Sequence, residues 1–370
     1  MKPGQFPLLA TLGATCLLGT AHAHHSRGNF DLDDVIELNG VVTEYTWRNP
    51  HTFVTLDVEN DAGKVEEWLL ELNSIAVLTG TGWTRDTIQV GDRVTVFGNP
   101  DNDRSKRFFF SNYFVLPDGS RMVSAPNYSR GVPIQRPPTR ELDATARSAD
   151  FTGIWRREGG MGGGMGMGGG APAAFPAPAG GPGQAVSLGN QTPAMGLPVT
   201  PRGQEELDNW DVRDNPWFRC ESRTLPGVVG GTQEILRPSD DRINFRYEIL
   251  DIERTVHLGL AGHPPDIEPS HLGHSIGRFE DETLVVDTAL FTPADWGIGA
   301  GVPSSEAKHV VERYTLVDGG RRMQVEYTFE DPVYLTEPVT LSATFFVDPG
   351  YPWQEYDCDP HASSRHLDVE

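Results

Sequence analysis

The run Ala21-His22-Ala23-His24-His25-Ser26 and the corner Trp47-Arg48-Asn49-Pro50-His51 hold the residue types best suited to bind a metal ion. An α-amine and the imidazole of the same first residue form a bidentate nitrogen chelate. A second imidazole completes a T-shaped three-nitrogen set that suits Cu(II) and its tetragonal preference. That chemistry requires a histidine at the start of the mature chain, and the upstream residues provide for it. Lys2 gives a positive start, Phe6 to Leu18 an apolar run, and Ala21 and Ala23 an A-x-A cleavage site. Residues 1–23 therefore read as a secretory leader removed on export, here to the periplasm of a Gram-negative cell. Cleavage after Ala21 would instead put His22 first and His24 third, a different amino-terminal copper pattern. His51 follows Asn49-Pro50, where proline biases the residue before it towards extended backbone, and it is expected at the rim of a barrel. The expected ligands are His24 and His51, with His25 as the alternative, and copper is the expected ion.

A second group comprises His271, His274, Asp287, Glu306, His309 and Glu312. If strands bring them together they offer acid–base chemistry or metal ligands, with His274, Asp287 and His309 as the acid–base candidates. His271 and His274, three apart, share a face only on a helix, and Gly273 argues for a turn. The competing reading is that Ser275 and Asp287 satisfy a strand-to-strand turn while His274 packs or caps. Gly273-His274-Ser275-Ile276-Gly277 has the outline of a serine-hydrolase elbow. That elbow needs a strand–turn–helix, and the residues that follow read as strand, so it is excluded.

The elements that must position these residues are strands. Val35–Tyr45, Thr52–Val58, Val65–Leu72, Val90–Gly98, Phe108–Leu116 and Arg121–Val123 are β-rich or alternate with period two. A short helix is expected near Ser74–Thr79 with Ser74 as its cap. Five or six short strands and one helix in about 100 residues fit a small closed barrel of the oligonucleotide/oligosaccharide-binding (OB) type. Further on, Phe151-Thr152-Gly153-Ile154-Trp155 has the Gly-x-Trp opening of lipocalin-like barrels, and a short helix is expected at Pro201–Trp210. Strands then recur at Glu234–Leu236, Ile243–Ile249, Arg254–Leu258, Ser275–Phe279, Thr283–Asp287, His309–Leu316, Met323–Phe329 and Val339–Phe346. Eight or so antiparallel strands make a second barrel or curled sheet. The fold class expected is mainly β, an OB-like barrel at 24–128 and a lipocalin-like β domain at 151–370, joined by an extended linker at 129–150. Gly159–Gly183 is low-complexity and cannot bury enough apolar surface to offset its ordering, so a disordered insert is expected at about 159–200. Its Met161, Met165 and Met167 are potential Cu(I) ligands, though an inserted flexible loop explains them as well. Trp210, Trp217, Trp296, Phe291 and Trp353 are expected in the core rather than around a ligand.

The 52 acidic and 30 basic residues give a formal charge of −22. That balance argues against nucleic acid and anionic lipid as partners. No segment after the leader approaches the ~20 apolar residues of a membrane span. Of the three cysteines, Cys16 leaves with the leader, and its context lacks the leucine expected before a lipid-anchored cysteine. Cys220 and Cys358 remain as an even pair in an oxidising compartment, and a disulfide between them is expected. Phosphate loops, dinucleotide fingerprints, zinc Cys/His spacings and EF-hand loops do not occur in the sequence.

His24-His25-Ser26, Asn39-Gly40-Val41-Val42, Trp47-Arg48-Asn49-Pro50-His51, Gly82-Trp83-Thr84-Arg85-Asp86 and Gly91-Asp92-Arg93-Val94 resemble the motifs of a family of exported bacterial proteins of unassigned function, over about His24 to Val123. Gly273–Glu280, Thr283–Thr288, His309–Tyr314 and Glu355–Cys358 are similar to a second uncharacterised group. Phe279 and Asp281 stand where that group has Trp and Gly. Both resemblances imply fold and compartment only. The function expected is that of an exported periplasmic binding protein that holds copper through its amino-terminal histidine, with a small molecule or another envelope protein as partner. The alternatives are an enzyme acting on a small apolar substrate within the second barrel, and a structural envelope protein.

Overall fold

The computed structural model describes residues 30–127, 129, 131–133, 143–158, 186, 188 and 193–364. The expected leader, His24 and His25, and Met161, Met165 and Met167 lie outside them.

Six strands and a helix build the first barrel: β1 (Ile36–Thr46), β2 (Phe53–Glu59), β3 (Val65–Glu71), α1 (Ile75–Gly80), β4 (Arg93–Pro100), β5 (Phe108–Val115) and β6 (Arg121–Val123). The sheet runs β3-β2-β1-β4-β5-β6, and a parallel pairing of β3 with β5 closes five strands into the expected OB-like barrel. Period-two alternation decides which face points in. Leu38 and Val42, Val54 and Leu56, Leu70, Val94 and Val96 fill the interior with Phe109 and Phe114. The expected helix forms between β3 and β4, and the Ser74 hydroxyl caps it by accepting from the Val77 N–H.

The opposite face of the same wall is also covered. Phe53 and Leu69, whose chain neighbours point inward, join Phe30, Phe108, Phe110 and Ala125 in a separate apolar cluster.

The second barrel has nine strands: β7 (Gly153–Arg157), β8 (Gln233–Ser239), β9 (Arg242–Tyr247), β10 (Ile252–Leu258), β11 (His274–Glu280), β12 (Thr283–Ala289), β15 (His309–Val317), β16 (Arg322–Glu330) and β17 (Val339–Val347). A hairpin of β13 (Ala294–Gly299) and β14 (Val302–Ser304) lies outside that ring, as does α2 (Pro201–Asp208). All neighbours are antiparallel except β10 and β11, which run parallel. Parallel neighbours cannot be joined by a tight turn, and residues 259–273 make the crossover. This segment carries Pro264 and Pro265 and no alternation, so nothing in its residues marks it as lying between parallel strands.

Large side chains occupy the interior of the second barrel. Phe245, Tyr247, Tyr314, Tyr327 and Phe345 are buried in it with Val256, Val286 and Val310. Glu312, expected among the chemistry-bearing residues, points inward. It accepts from both terminal nitrogens of Arg254 and from the Tyr314 hydroxyl at 2.6 Å. Arg254 Nη2 also donates to the Tyr247 hydroxyl at 2.9 Å. A buried pair is tolerable only when such hydrogen bonds replace lost water, so Glu312 belongs to the core.

The expected disordered insert needs correcting at its C-terminal end. Leu188 and Ala194 are in the core, and the Ala194 N–H donates to Ala300 O at 2.8 Å. Apolar side chains anchor this stretch despite its glycine- and proline-rich neighbourhood. Cys220 and Cys358 form the expected disulfide, their Cα atoms 5.9 Å apart. Trp296 and Phe291 are buried as expected. Among the described residues no helix is long and apolar enough to cross a membrane.

Candidate functional site

His51 sits in the corner between β1 and β2. The peptide bond before Pro50 is cis, and Trp47 on its other side is buried in the barrel core. Asn49 is fully engaged. Its side-chain amide donates to Tyr356 O at 2.9 Å and its side-chain oxygen accepts from the Ile75 N–H at 3.3 Å. Its backbone N–H donates to Asp357 O, and its carbonyl accepts from the Asp359 N–H. Arg48 lies 3.7 and 3.6 Å from the carboxylates of Asp357 and Asp359. This corner is therefore a dock for the C-terminal tail, a role carried by partners some 300 positions away and invisible in the sequence.

Beyond the dock, His51 turns onto the covered outer face and is 5 % exposed. Its Nδ1 is hydrogen-bonded to Glu71, itself 1 % exposed, and its ring stacks on Phe53. A carboxylate accepts only, so Nδ1 carries a proton and donates it to Glu71. The ring's Nε2 is buried and has no hydrogen-bond partner among the described residues. A buried polar atom left unpaired costs about 1–3 kcal/mol. An imidazole oriented by a carboxylate on one nitrogen and bare on the other has the form of a metal ligand with its outer-shell partner in place. Sequence reasoning found His51 but not Glu71, which reads simply as one of the alternating residues of β3.

The Phe53 ring also floors a cleft of about 250 Å³ between this wall and the tail, lined by Glu44, Thr55, Glu67, Asp359 and His361 among others.

The second group divides. His271 donates to Ser222 O at 2.7 Å, away from the others. Glu306 is exposed, and Glu312 is inside the barrel. His274, Asp287 and His309 come together on the outer wall, since their neighbours Ser275, Val286 and Val310 are buried. They therefore do not face the barrel interior, where the alternative enzyme reading needed them. His309 Nε2 lies 3.0 Å from Asp287 Oδ1, and its Nδ1 is 3.3 Å from Glu330 Oε1. His274 reaches Asp287 through a residue the sequence did not single out. His263 Nδ1 is 2.8 Å from His274 Nδ1, and His263 Nε2 is 3.0 Å from Asp287 Oδ1. His257 stacks on His274, ring centroids 5.1 Å apart. His263 was missed because it lies in the crossover, with no periodicity to mark its face; the density of histidines between 257 and 274 was the available signal.

These contacts shift the protonation equilibria of the groups they join. The hydrogen bond from His309, aided by that from His263, holds the Asp287 carboxyl down at about 2 against the effect of burial. The same bond to Asp287 raises His309. Burial, with His263 and His257 nearby, lowers His274. The result is a chain of imidazoles and carboxylates, not a ring of donors around a point. Among the described residues no three His, Cys, Asp or Glu side chains already stand around a common centre for a metal ion.

Sequence comparison matches a family of unknown function, DUF6152, to residues 13–108. An uncharacterised domain thus occupies the N-terminal part of the chain and includes His51 and Glu71. No curated protein matches the chain. Among solved structures, a mutant of the fluorescent protein UnaG is similar at 11 % identity, over 54 % of this chain and 96 % of its own, with a TM-score of 0.22. A protein of unknown function from the DUF3598 family of Nostoc punctiforme is also 11 % identical, over 86 % and 97 %, with a TM-score of 0.20.

Proposed function

We propose that this chain is an exported periplasmic binding protein that holds a copper ion on the outer wall of its first barrel. His51 Nε2 supplies one nitrogen. His24, made the first residue by removal of the leader, supplies its amine and imidazole, and His25 is the alternative donor. One observation carries the reading: the buried Nε2 of His51 has no partner among the described residues, while buried Glu71 holds Nδ1. Imidazole and amine nitrogens suit Cu(II). Glu71 fixes the ring orientation through Nδ1–H.

Chain length supports the arrangement. Phe30, in the apolar cluster that contains Phe53, is six positions from His24, a span of up to about 20 Å when extended.

The mature protein, incubated with Cu(II) and desalted, is expected to retain one equivalent. An extra methionine before His24 is expected to abolish retention. His51→Ala should do the same, and Glu71→Gln should weaken binding by about 10–100-fold. Full retention with the extra methionine overturns the reading.

A further inference from the structure

We infer that His263, Asp287 and His309 form a second metal site, for a divalent transition ion of the zinc class, on the outer wall of the second barrel. This inference does not depend on the amino-terminal site. The two Nε2 atoms, one from the crossover and one from β15, approach the same carboxylate oxygen on β12, each at 3.0 Å. Two ligands bound to one zinc-class ion at 2.0–2.2 Å, at angles between square and tetrahedral, stand about 3.0–3.4 Å apart. The nitrogen–oxygen separations already fall at the lower edge of that range.

The outer partners are also in place. Ligand imidazoles usually have their second nitrogen held by a carboxylate, carbonyl or other acceptor. Here Glu330 holds Nδ1 of His309 and His274 holds Nδ1 of His263. The side chains are 18 %, 28 % and 35 % exposed for His263, Asp287 and His309, so an ion in solution can reach them.

Without metal, Asp287 Oδ1 lies between the two imidazoles and accepts from both, which is why the donors do not yet surround a centre. Binding needs Asp287 to turn its carboxylate, and each ligand Nε2 to expose a lone pair. His309 keeps its proton on Nδ1, towards Glu330. His309 releases its Nε2 proton to solvent. His263 gives up its Nε2 proton and carries one on Nδ1, which it donates to His274 Nδ1, while His274 moves its own from Nδ1 to Nε2, so the His263–His274 pair keeps its proton count. Two imidazoles and one carboxylate suit zinc and its neighbours better than calcium or magnesium, and three protein ligands leave a fourth position open.

The test uses the mature full-length chain with the extra amino-terminal methionine, so that the first-barrel site is disabled, and zinc(II) alone as the probe. Calorimetric titration, with elemental analysis after desalting, is expected to show one equivalent bound. Asp287→Asn and His263→Gln are expected to weaken it at least tenfold, and His271→Gln, whose imidazole is tied to Ser222, to leave it unchanged. His263 belongs to the crossover and not to a strand, so its variant keeps the barrel ladder, as melting curves will register. No zinc retained by the parent, or undiminished binding by both variants, overturns the inference. Because the two sites use residues of different barrels, failure of either reading leaves the other standing.

Discussion

The hydrogen bond between His309 and Asp287 has opposite consequences for the two groups it joins, and together they define a pH window in the metal-free protein. Asp287 is held at about 2, below its ordinary 3.8. Its contribution is present above the unfolded value and lost as pH falls towards the folded one. His309 is raised above 6.5, so its contribution is present below the unfolded value and lost as pH rises through the folded one. The pair therefore contributes fully between about pH 4 and 6.5. Both side chains are partly solvated, which limits the effect to about 1 kcal/mol or less. In chelator-treated protein, His309→Gln is expected to lower the melting temperature at pH 5.5 more than at pH 9. Equal shifts at both would show that the bond carries no charge. The sequence pointed to Asp287 and His309 within expected strands and to His274 just before one. It did not mark Glu330 or Glu71, whose roles depend on cross-strand neighbours, nor His263, which lies in the crossover.

At the scale of elements, the second-barrel cluster rests on the turn that feeds β11. Gly273 has φ +71°, a conformation that residues with a Cβ seldom adopt, and an added Cβ would lie 2.7 Å from Ala289 O and 2.9 Å from Thr288 Cγ2. Gly273→Ala is therefore expected to cost about 1–3 kcal/mol from backbone strain alone, and to displace His274 at the start of the strand. Urea denaturation will measure the first effect, and a stability equal to the parent's would rule it out. Most strands were legible because one face is buried and the other is not, as in Met323, Val325 and Tyr327 of β16, which alternate with exposed Gln324 and Glu326. The β13–β14 hairpin was not, since Ala294-Asp295-Trp296-Gly297-Ile298-Gly299 does not alternate and its packing comes from outside the ring. The parallel neighbours β10 and β11 were equally hidden, because pairing direction is set by the path of the crossover and not by the composition of either strand.

At the scale of the whole molecule, two barrels were readable from their strand counts and the disulfide from its even pair of cysteines. The contact between the halves was not, because Asn49 spends every polar group on residues 356–359 and on the start of α1, none of them near it in sequence. The disulfide holds Cys358 in the middle of that contact. Its closure of a long loop contributes several kcal/mol in the chain-entropy model, with 2–5 kcal/mol the usual loss on removal. Replacing both cysteines with serine is expected to lower the melting temperature and to expose the segment around 356–364 to proteases at an early stage. Unchanged resistance there would mean that the hydrogen bonds of Asn49 suffice alone. The tail also has a place in time: a ribosome makes residues 356–359 only after both barrels have been synthesised. The corner around Asn49, near the beginning of the fold, therefore waits for almost the whole chain before its backbone finds partners. A chain stopped at residue 350 would carry both barrels with the first still lacking its seal.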